Sequence, residues 1–208
     1  MNIVVFGAGG RAGRQAVAEA RRRGHRVTAV VRDPARHGDL AGVRVVAGDV
    51  TDEAGIERVA AGHDAAISAA ADLSAPPHDF FTASARALTA GLTKAGVRRL
   101  VVVGLASIMP GASGVPLMDE PGYPGEYRDF YLGHAAGLAV LRDAAGLDWA
   151  YVAPAGDFDH GGARTGRYRI AEHADPAGRI TYADFAIALL DEIEAPRHHR
   201  AAAVVREA

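Results

Sequence analysis

A doubly wound α/β architecture, a parallel sheet with helices on both faces, is what this sequence predicts, and three observations predict it. Short apolar runs of strand type alternate with helix-type segments along 208 residues. The links between them are mostly short. The first run opens straight into a glycine-dense turn, Gly7-Ala-Gly-Gly-Arg-Ala-Gly13. Ile3–Phe6 is the first expected strand and Arg11–Arg23 the first helix, closed by Gly24, with three arginines on its last turn facing the negative end of the helix dipole. Arg26–Val31 and Val43–Ala47 read as the second and third strands, Asp52–Ala61 as a helix ended by Gly62, and Asp64–Ala69 as the fourth strand. A proline-broken loop at Pro76-Pro77 leads to a long helix, Asp79–Ala95, stopped by Gly96. Arg98–Val103 is a very apolar fifth strand, Tyr127–Ala145 a helix ended by Gly146, and Asp148–Val152 a sixth strand. Thr181 is placed to cap a last helix, Tyr182–Glu194, with Asp184 in its first turn and Pro196 beyond its end, and Ala202–Val205 reads as a short final strand.

Composition bounds the function. Hydrophobic residues make up 49% and charged residues 23% of the chain, the balance of a globular protein, and one domain over 1–208 is expected. The formal net charge of -2 gives no footprint for nucleic acid. Without cysteines there are no disulfides, thiol nucleophiles or thiolate metal sites. The chain opens on a strand and no apolar run reaches the ~18 residues of a membrane span, so a cytoplasmic location without membrane contact is expected. The expected partners are a small-molecule substrate and, at most, a second copy in a homodimer.

The glycine turn carries the strongest signal. It reads both as Gly-x-x-Gly-x-x-Gly (Gly7, Gly10, Gly13) and as Gly-x-Gly-x-x-Ala (Gly7, Gly9, Ala12). Side chains at Gly7, Gly9 or Gly10 would block the turn or the approach of a pyrophosphate, and Gly13 lets the helix pack on the sheet. The helix from Arg11 points its positive end at the anion. Nineteen residues after Gly13, Arg32 ends the second strand, where an adenosine ribose is read. An arginine there favours a 2′-phosphate, with Arg36 as a second guanidinium, so NADP is expected with NAD as the alternative. Asp33 is the rival, since its carboxylate suits a free 2′-hydroxyl. Asp49, followed by Val50, either accepts from the adenine amine or caps the next turn. Ala69 and Ala70, in the small-residue run that ends the fourth strand, let a flat cofactor pass close to the backbone. Two long loops, 105–126 and 153–167, follow strands and so belong at the carboxyl edge as substrate walls.

These segments together bear a family resemblance. Gly7–Gly13, Val31-Arg32-Asp33 and Gly48-Asp49-Val50 resemble atypical short-chain dehydrogenases of the NmrA-like, NAD(P)H-binding group. Arg99-Leu-Val-Val-Val-Gly104 with Ser107, Pro121-Gly-Tyr-Pro-Gly-Glu-Tyr127, Leu147-Asp-Trp-Ala-Tyr-Val-Ala-Pro-Ala155, Arg164-Thr-Gly-Arg-Tyr168 and Asp184-Phe-Ala-Ile-Ala-Leu-Leu-Asp-Glu192 are similar to its small bacterial NADH-flavin reductase branch. More distantly the chain is similar to the biliverdin reductase B family. The resemblance covers the whole chain. It implies a three-layer Rossmann fold, NAD(P)H as cofactor and reduction of a flat conjugated acceptor such as a flavin or quinone. A non-catalytic NADP(H)-binding redox sensor is the alternative.

The catalytic half departs from the wider superfamily, whose Tyr-x-x-x-Lys pair lets lysine lower the phenol pKa. Here Tyr131 is followed four residues later by Ala135. His134 is available as a stand-in proton source, with an ordinary pKa of ~6.5, and Ser107 as a donor to a carbonyl oxygen. Packing roles for Tyr127, Tyr131 and His134 are the competing reading. Pro154 either shapes the wall beside the nicotinamide or ends its strand. No metal site is expected: the nine histidines show no His-x-x-x-His pair on a helix, and Asp157, Asp159 and His160 lack the spacing of an ion loop.

Overall fold

The computed structural model describes residues 1–40 and 42–208. The chain runs β1 (Asn2–Phe6), α1 (Arg11–Arg22), β2 (Arg26–Val31), β3 (Arg44–Ala47), α2 (Glu53–Ala60), β4 (Ala65–Ser68), α3 (Pro77–Lys94), β5 (Arg99–Val103), α4 (Arg128–Asp143), β6 (Asp148–Pro154), β7 (Asp157–Asp159), β8 (Arg169–Ala171), β9 (Arg179–Thr181), α5 (Tyr182–Glu194) and β10 (Ala201–Arg206). Eight strands form one sheet in the order β3-β2-β1-β4-β5-β6-β10-β8. β1 and β4 run parallel, but strands are added to one side up to β3 and to the other from β4 onward, and this switch places a crevice at their carboxyl ends.

Strand alternation sets the two layers. Ile3 and Val5 face α1 and α5, together with Val27, Val101, Val152, Phe185 and Leu189. Val4 and Phe6 face α2, α3 and α4, together with Leu92, Leu100 and Trp149. Both faces of β1 are therefore dry, which explains its unbroken apolar run. The helix starts follow local chemistry: Thr181 Oγ1 accepts from the Asp184 amide and caps α5, whereas no side chain caps α1 at Gly10.

Three features depart from the sequence expectation. The sheet is not wholly parallel, because β8 pairs antiparallel with β10 through Val204↔Ala171 and Val205↔Ile170. The stretch 153–167 is not all loop, since β7 pairs with β9 to form a second, two-stranded sheet. β6 continues past Val152 to Pro154, which sits opposite Val205. Pairing with β5 has already stopped at Val103↔Val152, so the missing N–H of Pro154 costs no ladder bond, and the Ala155 amide reaches Val205 O at 2.7 Å.

The two long loops are tied down. Segment 105–126 holds two short 3₁₀ turns, Ala106–Ile108 and Leu117–Asp119, and a Pro110–Pro116 bridge. Arg128 clamps it by donating to Met118 O and to Asp119, both at 2.7 Å. Segment 153–167 is held by buried acids. Asp184 accepts from the Thr165 amide at 3.0 Å and the Gly166 amide at 2.8 Å. Glu19 of α1 takes Arg22 at 2.6 Å, Arg23 at 2.9 Å and Arg164 at 3.3 Å. Burial opposes ionisation of Glu19, but the hydrogen bonds from Arg22 and Arg23 and the charges of Arg23 and Arg164 outweigh it and hold the pKa at about 2.

Candidate functional site: a cleft at the crossover of the sheet

A cleft of about 570 Å³ opens at the carboxyl ends of β1 to β4, within the size range of small-molecule sites. Its floor is the glycine turn. Gly7 has φ +72°, and a Cβ there would lie 2.6 Å from the carbonyl carbon and oxygen of Ala69 and from Ala70 Cα. A Cβ on Gly13 would stand 2.1 Å from Gly7 O. Both positions are closed to any side chain by backbone. Gly10 is different: a Cβ would meet nothing nearer than Gly7 O at 3.4 Å, so the folded chain itself tolerates alanine there. A Cβ on Gly9 would strike the His37 ring at 2.4 Å.

Behind this turn α1 begins uncapped, with no acidic residue in its first turn. The amides of Arg11, Ala12 and Gly13 have no intrahelical partner by helix geometry. An open helix N-terminus behind glycines that admit close approach is what a diphosphate fits. The Arg11 side chain lies outside the cleft wall, with Nη1 3.0 Å from His160 Nδ1 in segment 153–167. Ala12 and Gly13 also stand behind the wall.

The far end of the cleft gathers charge. Val31, Arg32, Asp33, Arg36, Asp49 and Val50 all line it. Arg32 is largely exposed and donates across the mouth to Asp72 at 2.5 Å. Asp33 is occupied locally: one oxygen accepts from the Ala35 amide at 3.1 Å and the other lies 3.4 Å from Arg36. Asp49 does cap a turn, accepting from the Thr51 amide and hydroxyl at 2.8 and 2.7 Å, yet it still lines the cleft. Ala69 and Ala70 form the wall beside Gly7, and Asp79, Phe80 and Ala83 from the first turns of α3 close the opposite side. His37, Asp72 and Phe80 were missed by sequence reasoning. Phe80 was legible as an aromatic in the first turn after a proline loop, whereas nothing in the sequence couples Asp72 to Arg32.

The catalytic candidates lie outside the cleft wall, in two groups. Ser107, 3% exposed, hydrogen-bonds Tyr123 through their hydroxyls at 2.9 Å, and the Tyr123 and Tyr131 rings meet edge-on with centroids 5.9 Å apart. Burial raises the Tyr131 pKa, and Tyr123 reinforces this against the opposing Ser107 hydrogen bond. Nothing here activates the phenol as lysine would. Tyr123 was missed; its place in the proline-rich loop gave no periodic signal.

His134 does not fit the expected proton-source role. It packs against Phe81, with centroids 3.9 Å apart, and its Nδ1 lies 2.9 Å from the Tyr151 hydroxyl. That hydroxyl also accepts from the Leu105 amide at 3.1 Å, which leaves its own proton free to be donated to Nδ1. Burial pushes the imidazole pKa down to about 3, so the ring is neutral and accepts rather than delivers a proton. Pro154 is buried within β6 and is not part of the cleft wall.

Comparison with known proteins agrees with this geometry. The uncharacterized protein YwnB of Bacillus subtilis is 35% identical over 205 residues, covering 95% of this chain and 94% of YwnB. A crystal structure described as a "putative exported protein" from Burkholderia pseudomallei is 36% identical with a TM-score of 0.86, over 99% of both chains. One described as a "putative NADH-flavin reductase" from Streptococcus pneumoniae is 30% identical with a TM-score of 0.87, over 100% of both chains. The model of a family described as NAD(P)H-binding matches residues 7–196, from the glycine turn to the end of α5. With this Rossmann-type sheet and most of its length matched, the chain belongs to the NAD(P)H-binding family.

Proposed function

We propose that this chain is an NADPH-preferring reductase of a flat conjugated acceptor such as a flavin or quinone. The bound nicotinamide would supply the hydride. The observation that carries the reading is the cleft itself: two glycines made obligatory by backbone contacts, an uncapped helix end behind them, and Arg32 and Arg36 at the far end. In this reading the amides of Arg11, Ala12 and Gly13 hold the diphosphate, while the Gly10 amide closes the turn on Gly7 O at 3.0 Å. Arg32 and Arg36 take the 2′-phosphate, Asp49 and Val50 border the adenine, and Ala69 and Ala70 pass the nicotinamide half. Ser107, Tyr131 and Pro154 stand outside the cleft wall and have no direct part in this reading. The printed name of the Streptococcus pneumoniae relative supports reductase chemistry. Acceptors of this kind delocalise the charge they gain, which suits a site whose histidine is neutral and whose tyrosine lacks a lysine.

Among the described residues no helix is long and apolar enough to cross a membrane. Dependence on reduced nucleotide fits a cytoplasmic protein working on small molecules, as a monomer or homodimer. The test is oxidation of NADPH by the purified protein across free flavins and quinones, with anaerobic controls. Protein-dependent turnover with at least one is expected, and none across the panel would refute the reading. A second reading, a non-catalytic sensor of the NADP(H) redox state, is favoured by Ala135 in place of lysine and by the neutral His134. It predicts tight binding of NADP(H) with no turnover.

A further inference from the structure

Four hydroxyl side chains lie along α3, and three of them behave alike. Thr82, Thr89 and Thr93 each donate back to the carbonyl four residues earlier, at 2.8, 2.8 and 2.7 Å. Ser84 does not. Its Oγ is shielded from solvent and has no hydrogen-bond partner among the described residues, although the side chain is only 7% exposed. A buried hydroxyl left unpaired is unfavourable, and the same back-bond was within reach.

Ser84 instead lines a narrow slot of about 40 Å³ between α3, α4 and the carboxyl ends of β4 and β5. Ala70 borders both this slot and the large cleft, so the two meet at the end of β4. His134 and Tyr151 line the same slot. In the tautomer in which Tyr151 donates to Nδ1 of His134, Nε2 carries the ring's single proton and is a neutral donor. Apart from Ser68, the remaining lining is apolar, with Phe81, Val102 and Leu138 prominent, and no acidic or basic chain lines it among the described residues. Neutral donors in an uncharged apolar recess complement an uncharged oxygen acceptor on an apolar ring. The space takes one edge of a ring and not a whole ring.

We propose that this slot receives the carbonyl edge of a neutral quinone-type ring, with the Ser84 hydroxyl donating to the carbonyl oxygen, His134 beside it, and the rest of the ring at Ala70. The assignment rests on the reductase reading above and names its acceptor class. It gives Ser84 a partner that the folded chain alone does not.

Equilibrium dialysis of the full chain against menadione in the presence of NADP+, with NADP+ affinity measured separately by calorimetry, tests it. Saturable menadione binding is expected in the parent. Ser84→Ala should weaken it about five- to ten-fold, the loss of one hydrogen bond, and Ser84→Leu, which fills the slot, should abolish it. Both variants should keep the parent's NADP+ affinity, and that retained binding shows that they are folded. Failure of the parent to bind menadione, or unchanged binding in the Ala and Leu variants, overturns the assignment. Failure of the parent to bind NADP+ is a different result and refutes the cofactor reading instead.

Discussion

Replacing Arg32 with alanine separates the two pyridine nucleotides. In the structure Arg32 spans the mouth of the cleft to Asp72 at 2.5 Å, with its side chain 69% exposed and that of Asp72 17% exposed. A hydrogen bond to a charged partner contributes about 1.5–3 kcal/mol, whereas an exposed ion pair contributes about 0–1 kcal/mol. Asp72 occupies one nitrogen of the guanidinium and sets a negative charge beside the expected phosphate, so the net loss in Arg32→Ala is expected at about 1–2 kcal/mol. That is roughly a 5- to 30-fold weaker affinity for NADP+. NAD+ has no 2′-phosphate, and its affinity should stay within about two-fold of the parent. Asp72→Asn should act in the opposite direction, because it frees Arg32 and removes a negative charge facing the phosphate. Calorimetric titration with both nucleotides at low and high salt reads all of this, and the NADP+ effect should shrink as salt rises. An equal loss for both nucleotides, or none for either, would refute the ribose assignment.

The remaining expectations are more local. Gly13→Ala drives a Cβ to 2.1 Å from Gly7 O, a contact with backbone that cannot rotate away. Urea unfolding should show a loss of about 3 kcal/mol or more together with lost nucleotide binding, whereas Gly10→Ala should unfold like the parent yet bind nucleotide more weakly. The buried Glu19 has its pKa held at about 2, below its ordinary 4.5. Its contribution to stability is therefore complete above pH 4.5 and disappears as pH falls toward 2. Discounted for the solvent that screens Arg22 and Arg164, it amounts to about 1–2 kcal/mol, and Glu19→Gln should flatten the acid limb of the stability curve. His134, depressed to about 3 by burial, should show no titration of its ring signals by NMR between pH 5 and 8, and an inflection in that window would contradict its assigned environment.

The nucleotide half was legible from the chain because it is local. Gly7, Gly9, Gly10, Arg32, Arg36, Asp49, Val50, Ala69 and Ala70 all reach the cleft, and all but Arg36, in a 3₁₀ turn at Pro34–Arg36, follow closely on a strand whose apolar run is visible in the sequence. The region around His134 depends on contacts between distant elements. The environment of His134 is set by Phe81 on α3 and Tyr151 on β6, so its spacing from Tyr131 on one helix face carried no information about its protonation. The strands β7, β8 and β9 escaped notice for a related reason. Each has only three residues, too few for a periodic signal, and exists through its partner: β7 with β9, and β8 with β10. Pro154 does end its strand, as one of the two readings had it, but β6 runs two residues beyond the expected Val152 because β5 has already ended there and proline costs no ladder bond.

Titration of the purified chain with NADPH, followed by calorimetry and by thermal unfolding, puts the central claim to its most direct test. Saturable binding of one nucleotide per chain is expected, with a matching rise in melting temperature, and both should be weakened in Gly10→Ala. Absence of heat and of thermal protection at millimolar NADPH and NADP+ would contradict the account.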